Sequence, residues 1–201
     1  MPDAVSLARG PVFTTREYAT AAGVSLASAS KRLATLARHG QIEMLTRGVW
    51  IVPEHPHFSL YGCVPYVIGR ETGYVSFLSA LSLHDMISQI PKAIQIATTG
   101  APRVLVTSRG RFELFKLHPR MMSEGVVWHD APAPFRVATP EKALVDTFYL
   151  ATRKGRRFRA LPELELPRSF RKNEFRRLVR EQVLLAPVRS AVMRRFEVLR
   201  A

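Results

Sequence analysis

Hydroxyl and cationic side chains recur along residues 26–39, opposite a row of apolar ones. The apolar row has the spacing of one helix face and consists of Leu26, Ala29, Leu33 and Leu36. The outward positions include Ser28, Lys31, Thr35 and Arg38, and Arg32 lies on the flank. Hydroxyls and cations donate hydrogen bonds to phosphate oxygens and to the edges of bases. The pattern therefore predicts a helix that binds in the major groove of duplex DNA.

Two helices and a hairpin are predicted to position this surface. Thr14–Glu17 forms a capping box that starts a short helix, and this helix ends at Gly23. Ser25 caps the second helix after a three-residue turn. A hairpin follows over residues 41–52, with a tight turn that contains a glycine. This order predicts a winged helix-turn-helix over residues 1–55, closed by prolines that indicate a link to a second domain.

Three further side chains of this region are predicted to contact the DNA backbone. Thr15 and Ser25 lie at helix N-termini, where free amides and the helix dipole attract a phosphate. Arg47 lies at the tip of the hairpin turn, from which a wing reaches the backbone or the minor groove. The same order of elements also occurs in winged helices that contact proteins, and this alternative stays open.

Residues 56–201 predict a mixed α/β domain with a small sheet and C-terminal helices, so the predicted fold class is α+β. Helices are predicted near 61–68, over 74–87, from the cap Thr139-Pro140, over 173–185 and from Pro187. Strands are predicted over 93–98, 103–107, 111–117, 126–129 and 135–138. A further short helix is predicted over residues 3–8.

The charge of the chain favours a polyanionic partner. Thirty Lys and Arg residues against sixteen Asp and Glu residues give a net charge of +14, which attracts nucleic acid or an acidic membrane surface. The excess is concentrated in residues 151–201, where fifteen basic and five acidic side chains give +10. Phosphate contacts are predicted there for Arg153, Lys154, Arg156 and Arg157. The alternatives are the polar faces of helices that pack on the domain, and an amphipathic membrane helix.

Patterns for catalysis and for metal binding are incomplete. His55 and His57 with Cys63 lack the remainder of a metal ligand set. Ser79, Ser82, His84 and Asp85 crowd one helix, on which neighbouring side chains diverge. Glu141 and Asp146 are five residues apart and do not share a helix face. There is no Gly-rich phosphate loop. We therefore expect no catalytic residue, metal or cofactor, with a metal-dependent nucleic-acid-processing enzyme and an RNA-binding or scaffolding module as alternatives.

The compartment expected from the sequence is the cytoplasm. Cys63 is the only cysteine, so an intramolecular disulfide is impossible. No apolar run approaches the roughly 20 residues that span a bilayer. The N-terminal residues lack the basic start and apolar stretch of a signal peptide. No membrane partner is therefore expected.

Three stretches of the sequence together resemble the AbiEi-type antitoxins, transcriptional regulators of bacterial abortive-infection (type IV) toxin–antitoxin pairs. The first runs from Val12 through Gly23-Val24-Ser25 to the hairpin that ends at Trp50. The second is residues 74–84 with Gln89-Ile90-Pro91 and the strand 94–98, and the third is residues 137–146. The sequence departs from this pattern at Asp85, where the family has a small residue, often glycine.

The resemblance implies a two-domain protein whose winged helix represses its own operon by binding inverted repeats. Lys31, Arg32 and Arg47 occupy the places where such a domain meets DNA. The second domain is implied to assist repression and to counter a nucleotidyltransferase toxin without a stable complex. Inverted repeats imply two copies, as monomers that bind side by side or as a weak dimer. A stand-alone regulator without a toxin is the alternative.

Overall fold

The computed structural model describes residues 10–153, 158 and 160–199. The chain forms two compact units that are each discontinuous in sequence. The first takes in the described residues up to Arg70 together with 106–110 and 130–135, and the second takes in the remaining described residues. The first unit thus continues past residue 55. The helix predicted over residues 3–8 lies outside the described residues.

The first unit opens with a strand, two helices and a hairpin. Strand β1 (Val12–Thr14) leads directly into helix α1 (Thr15–Ala22), and helix α2 (Leu26–Arg38) follows. Strands β2 (Glu43–Thr46) and β3 (Val49–Ile51) form the hairpin. The capping box at Thr14 is confirmed, because its hydroxyl accepts from the Glu17 amide and the Glu17 carboxylate accepts from the Thr14 amide. A 3₁₀ turn (Tyr61–Cys63) and helix α3 (Val64–Ile68) complete the elements of this unit.

The core of the first unit lies between the two helices and an antiparallel sheet. The sheet has the strand order β1-β3-β2, with Phe13 opposite Trp50. Ala29 and Leu33 of α2 are fully buried against Phe13, Ile42 and Trp50. Leu36 is partly buried against the same core. Leu26 departs from the predicted apolar face: it is 46% exposed, because it lies in the first turn and the contacts of α2 with the core begin one turn later.

The second unit contains a six-stranded mixed sheet. Its strands are β4 (Gly73–Val75), β5 (Ile94–Thr98), β6 (Arg103–Val106), β7 (Arg111–Lys116), β8 (Val126–His129) and β9 (Phe135–Ala138). The order across the sheet is β6-β7-β5-β4-β9-β8, so that β6 and β8 are its terminal strands. Strand β4 is antiparallel to β5 and parallel to β9, and β5 is parallel to β7.

Four helices pack in the second unit: α4 (Phe77–Leu83), α5 (Pro140–Ala151), α6 (Lys172–Gln182) and α7 (Ala186–Val198). Helix α5 begins as predicted, because the Thr139 hydroxyl accepts from the Lys142 amide and Pro140 needs no partner at the first helical position. With two sheets and these helices, the predicted α+β class is confirmed.

The helix predicted over residues 74–87 is wrong at both ends. Tyr74 and Val75 belong to β4, where they are fully buried between β5 and β9. Their aromatic and β-branched side chains suit that environment better than a helix. The helix also ends early, at Leu83, and Asp85 follows with a φ of 54°, in the left-handed region that a continuing helix excludes.

Candidate nucleic-acid interface

Helix α2 presents a polar, cationic face to solvent. Ser28, Lys31 and Arg32 are all exposed, whereas Ala29 and Leu33 on the opposite side anchor the helix in the core. Within the described part of the chain, neither Lys31 nor Arg32 forms a salt bridge. The structure therefore brings three of the predicted side chains together on one accessible surface, where their donors can meet an external acceptor.

The N-terminus of α2 is held by a serine pair. Ser25 accepts a hydrogen bond from the Ser28 amide at 3.2 Å, so it is the predicted N-cap. The Ser25 hydroxyl in turn donates to the Ser28 hydroxyl at 3.0 Å. Because Ser28 accepts in this bond, its own hydroxyl hydrogen is free to donate outward. Ser28 is thus oriented as a donor by the cap that starts the helix.

The Thr35 hydroxyl is hydrogen-bonded within α2. Its hydroxyl donates to the Lys31 carbonyl at 3.1 Å and accepts from Arg38 Nη2 at 3.0 Å. With its only hydrogen used, Thr35 serves here to hold the guanidinium of Arg38 against the exposed side of α2. The predicted contact of Thr35 with DNA stays a prediction, and the exposed Arg38 adds a cation to this surface.

Thr15 connects α1 to the hairpin. Its amide donates to the Gly48 carbonyl at 2.9 Å, and its hydroxyl accepts from Trp50 Nε1 at 2.9 Å. The hydroxyl hydrogen points to the same Gly48 carbonyl at 3.5 Å. Both donors of Thr15 are therefore engaged inside the unit, so a phosphate contact by Thr15, still a prediction, requires one of these bonds to break.

The hairpin places Arg47 at its exposed tip. Gly48 makes the turn possible, since its φ of 78° is strained for any residue with a side chain. On strand β2, the carboxylate of Glu43 accepts from Arg109 Nε at 2.9 Å and from Ser108 at 3.1 Å. These bonds lower the pKa of Glu43, with the bond from Arg109 as the largest cause. The negative charge on the hairpin is thus balanced within the first unit, an arrangement that sequence reasoning missed because the partners lie far apart in the chain.

The structure describes only part of the basic C-terminal region, residues 151–201. Lys154, Arg156 and Arg157 lie outside the described residues. Arg153 is exposed, donates to the Tyr149 hydroxyl at 2.9 Å and lies over the Tyr149 ring at 5.4 Å from its centroid. Its predicted phosphate contact stays a prediction.

Helix α6 carries a row of exposed cations that the sequence predictions do not include. Lys172, Arg176 and Arg180 recur every fourth residue and therefore share one side of the helix. All three are exposed, and Arg180 is 75% exposed. Arg177 lies off this row and is bound by three carboxylates, those of Glu124, Glu174 and Glu181. The spacing in the sequence carries the signal for this row, but only the tertiary structure shows how its charges are paired. Arg177 has three carboxylate partners, whereas Arg176 lies 3.5 Å from Glu197 and Arg180 lies 3.7 Å from Glu181.

The strongest polar cluster of the second unit is closed to solvent. Lys142 Nζ donates to Asp146 at 2.5 Å and to Gln182 Oε1 at 2.8 Å. Asp146 also accepts from Ser76 at 2.8 Å and from Tyr74 at 2.9 Å. Burial raises the pKa of Asp146, and the nearby ammonium of Lys142 opposes this effect. Both side chains of the pair have no exposed surface, so no substrate reaches them and they act as a structural link.

Several other polar groups that the sequence pattern singles out bind separate partners. His84 Nε2 is hydrogen-bonded to the Ala138 carbonyl at 2.7 Å, whereas Ser79 donates to the Ala93 carbonyl. Glu141 accepts from the Arg171 amide at 2.8 Å, away from the hydrogen-bonded network of Asp146. Burial raises the pKa of the Cys63 thiol to about 12. The described residues contain no group of three or more His, Cys, Asp or Glu side chains that could hold a metal ion.

No helix of the described chain has both the length and the apolar character required to span a bilayer. Compared with protein-family models and with curated proteins, the chain matches none.

Proposed function

We propose that the first unit is a winged helix-turn-helix that binds duplex DNA, and that the chain represses transcription through it. The observation that carries this proposal is the exposed face of α2, on which Ser28, Lys31 and Arg32 stand together without an acidic partner among the described residues. Their supporting helix is anchored by fully buried Ala29 and Leu33. A rigid helix with outward donors is what groove recognition requires.

The proposed mechanism separates affinity from specificity. Long-range attraction between the basic chain and the phosphates brings the two together and depends steeply on salt. Arg32 and Lys31 then donate to acceptors on base edges, and Ser28 donates from the first turn of α2. Arg47 at the hairpin tip binds the backbone beside the groove. In this arrangement the contacts of α2 with base edges distinguish one DNA sequence from another.

The cationic row on α6 supports a second set of phosphate contacts. Lys172, Arg176 and Arg180 occupy successive turns of one helix side, so their charges are spaced along a line. Such contacts add affinity without sequence information, since a phosphate is the same at every base pair. We therefore assign this row to non-specific binding, and the α2 face to sequence recognition.

The further role as an antitoxin rests on the resemblance to the AbiEi-type family. The backbone at Asp85 supports it, because this residue adopts a φ of 54° at the position where the family often has glycine. In this role the chain represses its own operon at inverted repeats and counters a nucleotidyltransferase toxin. This role predicts a nucleotidyltransferase in the neighbouring reading frame, whose toxicity co-expression of this chain should relieve. Absence of such a reading frame, or no rescue of growth, would refute the antitoxin role while leaving DNA binding untouched.

The test of DNA binding compares two double variants with the same loss of charge. Lys31→Ala/Arg32→Ala removes cations of the α2 face, and Arg70→Ala/Lys92→Ala removes two exposed cations elsewhere. Each base contact contributes about 1–3 kcal/mol of discrimination, so the loss of two contacts should lower the preference for the operator over a scrambled duplex by roughly 30-fold or more. The control should keep that preference.

Gel shifts or fluorescence anisotropy at fixed salt give the required ratio, and melting curves check that the variants fold. Equal loss in the two variants would reduce the effect to net charge and overturn the major-groove assignment. A duplex RNA of the same sequence serves as competitor. Displacement of the operator by that RNA at equal concentration would refute DNA as the partner.

For the α6 row, Arg176→Ala/Arg180→Ala should flatten the salt dependence of DNA binding and leave the operator preference unchanged.

A further inference from the structure

The last turn of α2 carries a guanidinium that a short chain of hydrogen bonds holds in place. The Thr35 hydroxyl donates to the Lys31 carbonyl at 3.1 Å, which uses its only hydrogen. The oxygen of the same hydroxyl accepts from Arg38 Nη2 at 3.0 Å. Thr35 is half-buried and Arg38 is exposed. The backbone of α2 therefore fixes the threonine hydroxyl, and the hydroxyl fixes the guanidinium.

The guanidinium of Arg38 keeps most of its donors for an external acceptor. A guanidinium has five N–H donors, and the bond to Thr35 uses one of them. Among the residues that the structure describes, no carboxylate forms a salt bridge with Arg38. Its remaining N–H groups can bind two oxygens of one anion in parallel, which is the geometry that arginine adopts with phosphates.

The place of Arg38 at the end of α2 determines which part of a duplex it meets. In the proposed complex, the N-terminal residues of α2 approach the base edges in the major groove. Helix α2 has 13 residues, so it is roughly 20 Å long, whereas the major groove is about 12 Å wide. The last residue of the helix therefore lies beyond the base edges, beside the sugar-phosphate backbone.

We propose that Arg38 binds a backbone phosphate and that Thr35 is the positioning residue for this contact. The proposal rests on the proposed DNA-binding role of α2 and identifies the acceptor at its C-terminal end as a phosphodiester oxygen. The bond to Thr35 restricts a side chain that otherwise samples many rotamers, so less conformational entropy is lost when the phosphate binds. Thr35 thus contributes to affinity through Arg38, without a DNA contact of its own.

The first test is a double-mutant cycle in the full chain, with affinity for an inverted-repeat duplex from its own promoter measured by fluorescence anisotropy. Arg38→Ala should lower the affinity by roughly 10-fold or more, because a charge-assisted contact is lost. Thr35→Val should lower it by about 2- to 10-fold, but should have no effect in the Arg38→Ala background. Thr35→Ser keeps the hydroxyl and should bind like the unaltered chain.

Thr20→Val is the matched control for this cycle, because Thr20 is exposed on the neighbouring helix α1. It should leave the affinity unchanged, and melting curves check that every variant folds. An equal loss from Thr35→Val with and without Arg38 would mean that Thr35 contacts DNA itself or only supports the helix. That result would overturn its positioning role.

The second test separates a phosphate contact from a base contact. Because every base pair carries the same phosphates, Arg38→Ala should weaken binding to the promoter duplex and to a scrambled duplex by the same factor. It should also reduce the slope of log affinity against log salt by about 0.9. A larger loss on the promoter duplex would assign Arg38 to a base edge, and an unchanged affinity for both duplexes would remove Arg38 from the interface; either result overturns the proposal.

The third test locates the phosphate, with promoter duplexes in which single phosphates are replaced by neutral methylphosphonates. At one position for each bound copy, the replacement should weaken binding by the unaltered chain and leave binding by Arg38→Ala unchanged. Absence of such a position would refute the phosphate contact. A failure of the proposed DNA-binding role looks different, because the unaltered chain would then bind neither the promoter duplex nor the scrambled one.

Discussion

Asp146→Asn should strongly destabilise the second unit, because it leaves the ammonium group of Lys142 buried without an anion. The two side chains are fully buried and 2.5 Å apart. Ser76 and Tyr74 donate to the same carboxylate from β4 and its following residue. The pair thus links α5 to the middle of the sheet, and Gln182 extends the link to α6.

The size of the effect follows from the cost of an uncompensated charge. Removing one partner of a buried ion pair costs about 3–5 kcal/mol, a large part of the roughly 5–15 kcal/mol that stabilises a typical protein. Gln182 keeps one hydrogen bond to Lys142 but supplies no charge. The double variant Lys142→Met/Asp146→Asn removes both charges, so it should cost less than the sum of the single variants by about 1–3 kcal/mol.

Urea unfolding followed by far-ultraviolet circular dichroism measures these changes, and Trp50 emission in a Trp128→Phe background follows the first unit separately. Lys172→Met is the matched control, because it makes the same substitution at an exposed position of α6 and should alter stability by no more than about 0.5 kcal/mol. Two results would refute the reasoning. One is a loss below about 1 kcal/mol for Asp146→Asn, and the other is strict additivity in the double variant.

The same pair predicts a pH dependence in Lys142→Met. Burial raises the pKa of Asp146 above its ordinary value of 3.8, and removal of Lys142 takes away the main opposing charge. A group with a raised pKa stabilises the fold below its unfolded pKa and loses this contribution as the pH rises through the folded value. The stability deficit of Lys142→Met should therefore be smallest in mildly acidic solution and grow toward neutral pH. A deficit that does not vary with pH would contradict this account.

Two further substitutions test local features of the units. Thr15→Val should lower the free energy of unfolding by about 1–3 kcal/mol, because it leaves the indole N–H of buried Trp50 without its acceptor; unchanged urea unfolding would mean that this bond contributes nothing. Asp85→Gly should raise stability by about 1 kcal/mol, because glycine adopts the observed φ of 54° without strain. Thermal melts measure it, and an equal gain in Asp85→Ala would rule out relief of backbone strain.

Features that depend on consecutive residues could be predicted from the sequence. The caps at Thr14, Ser25 and Thr139 lie where their motifs place them, since each cap binds an amide within three residues. Strands β8 and β9 have the predicted bounds. Residues 74–75 fit the predicted helix because their apolar spacing continues that of α4, yet they form a strand. Their pairing with β5 and β9 is long-range and leaves no mark on the local pattern.

The polar face of α2 was determined by sequence alone, because helical periodicity dictates which side chains lie opposite the buried ones. Tertiary structure decided which polar groups elsewhere in the chain are engaged by internal partners. It engages Thr15 with Trp50, balances Glu43 with Arg109, and buries Lys142 with Asp146. The physical reason is range: caps and periodicity act over one or two turns, whereas burial and ion pairing depend on segments that only folding brings together.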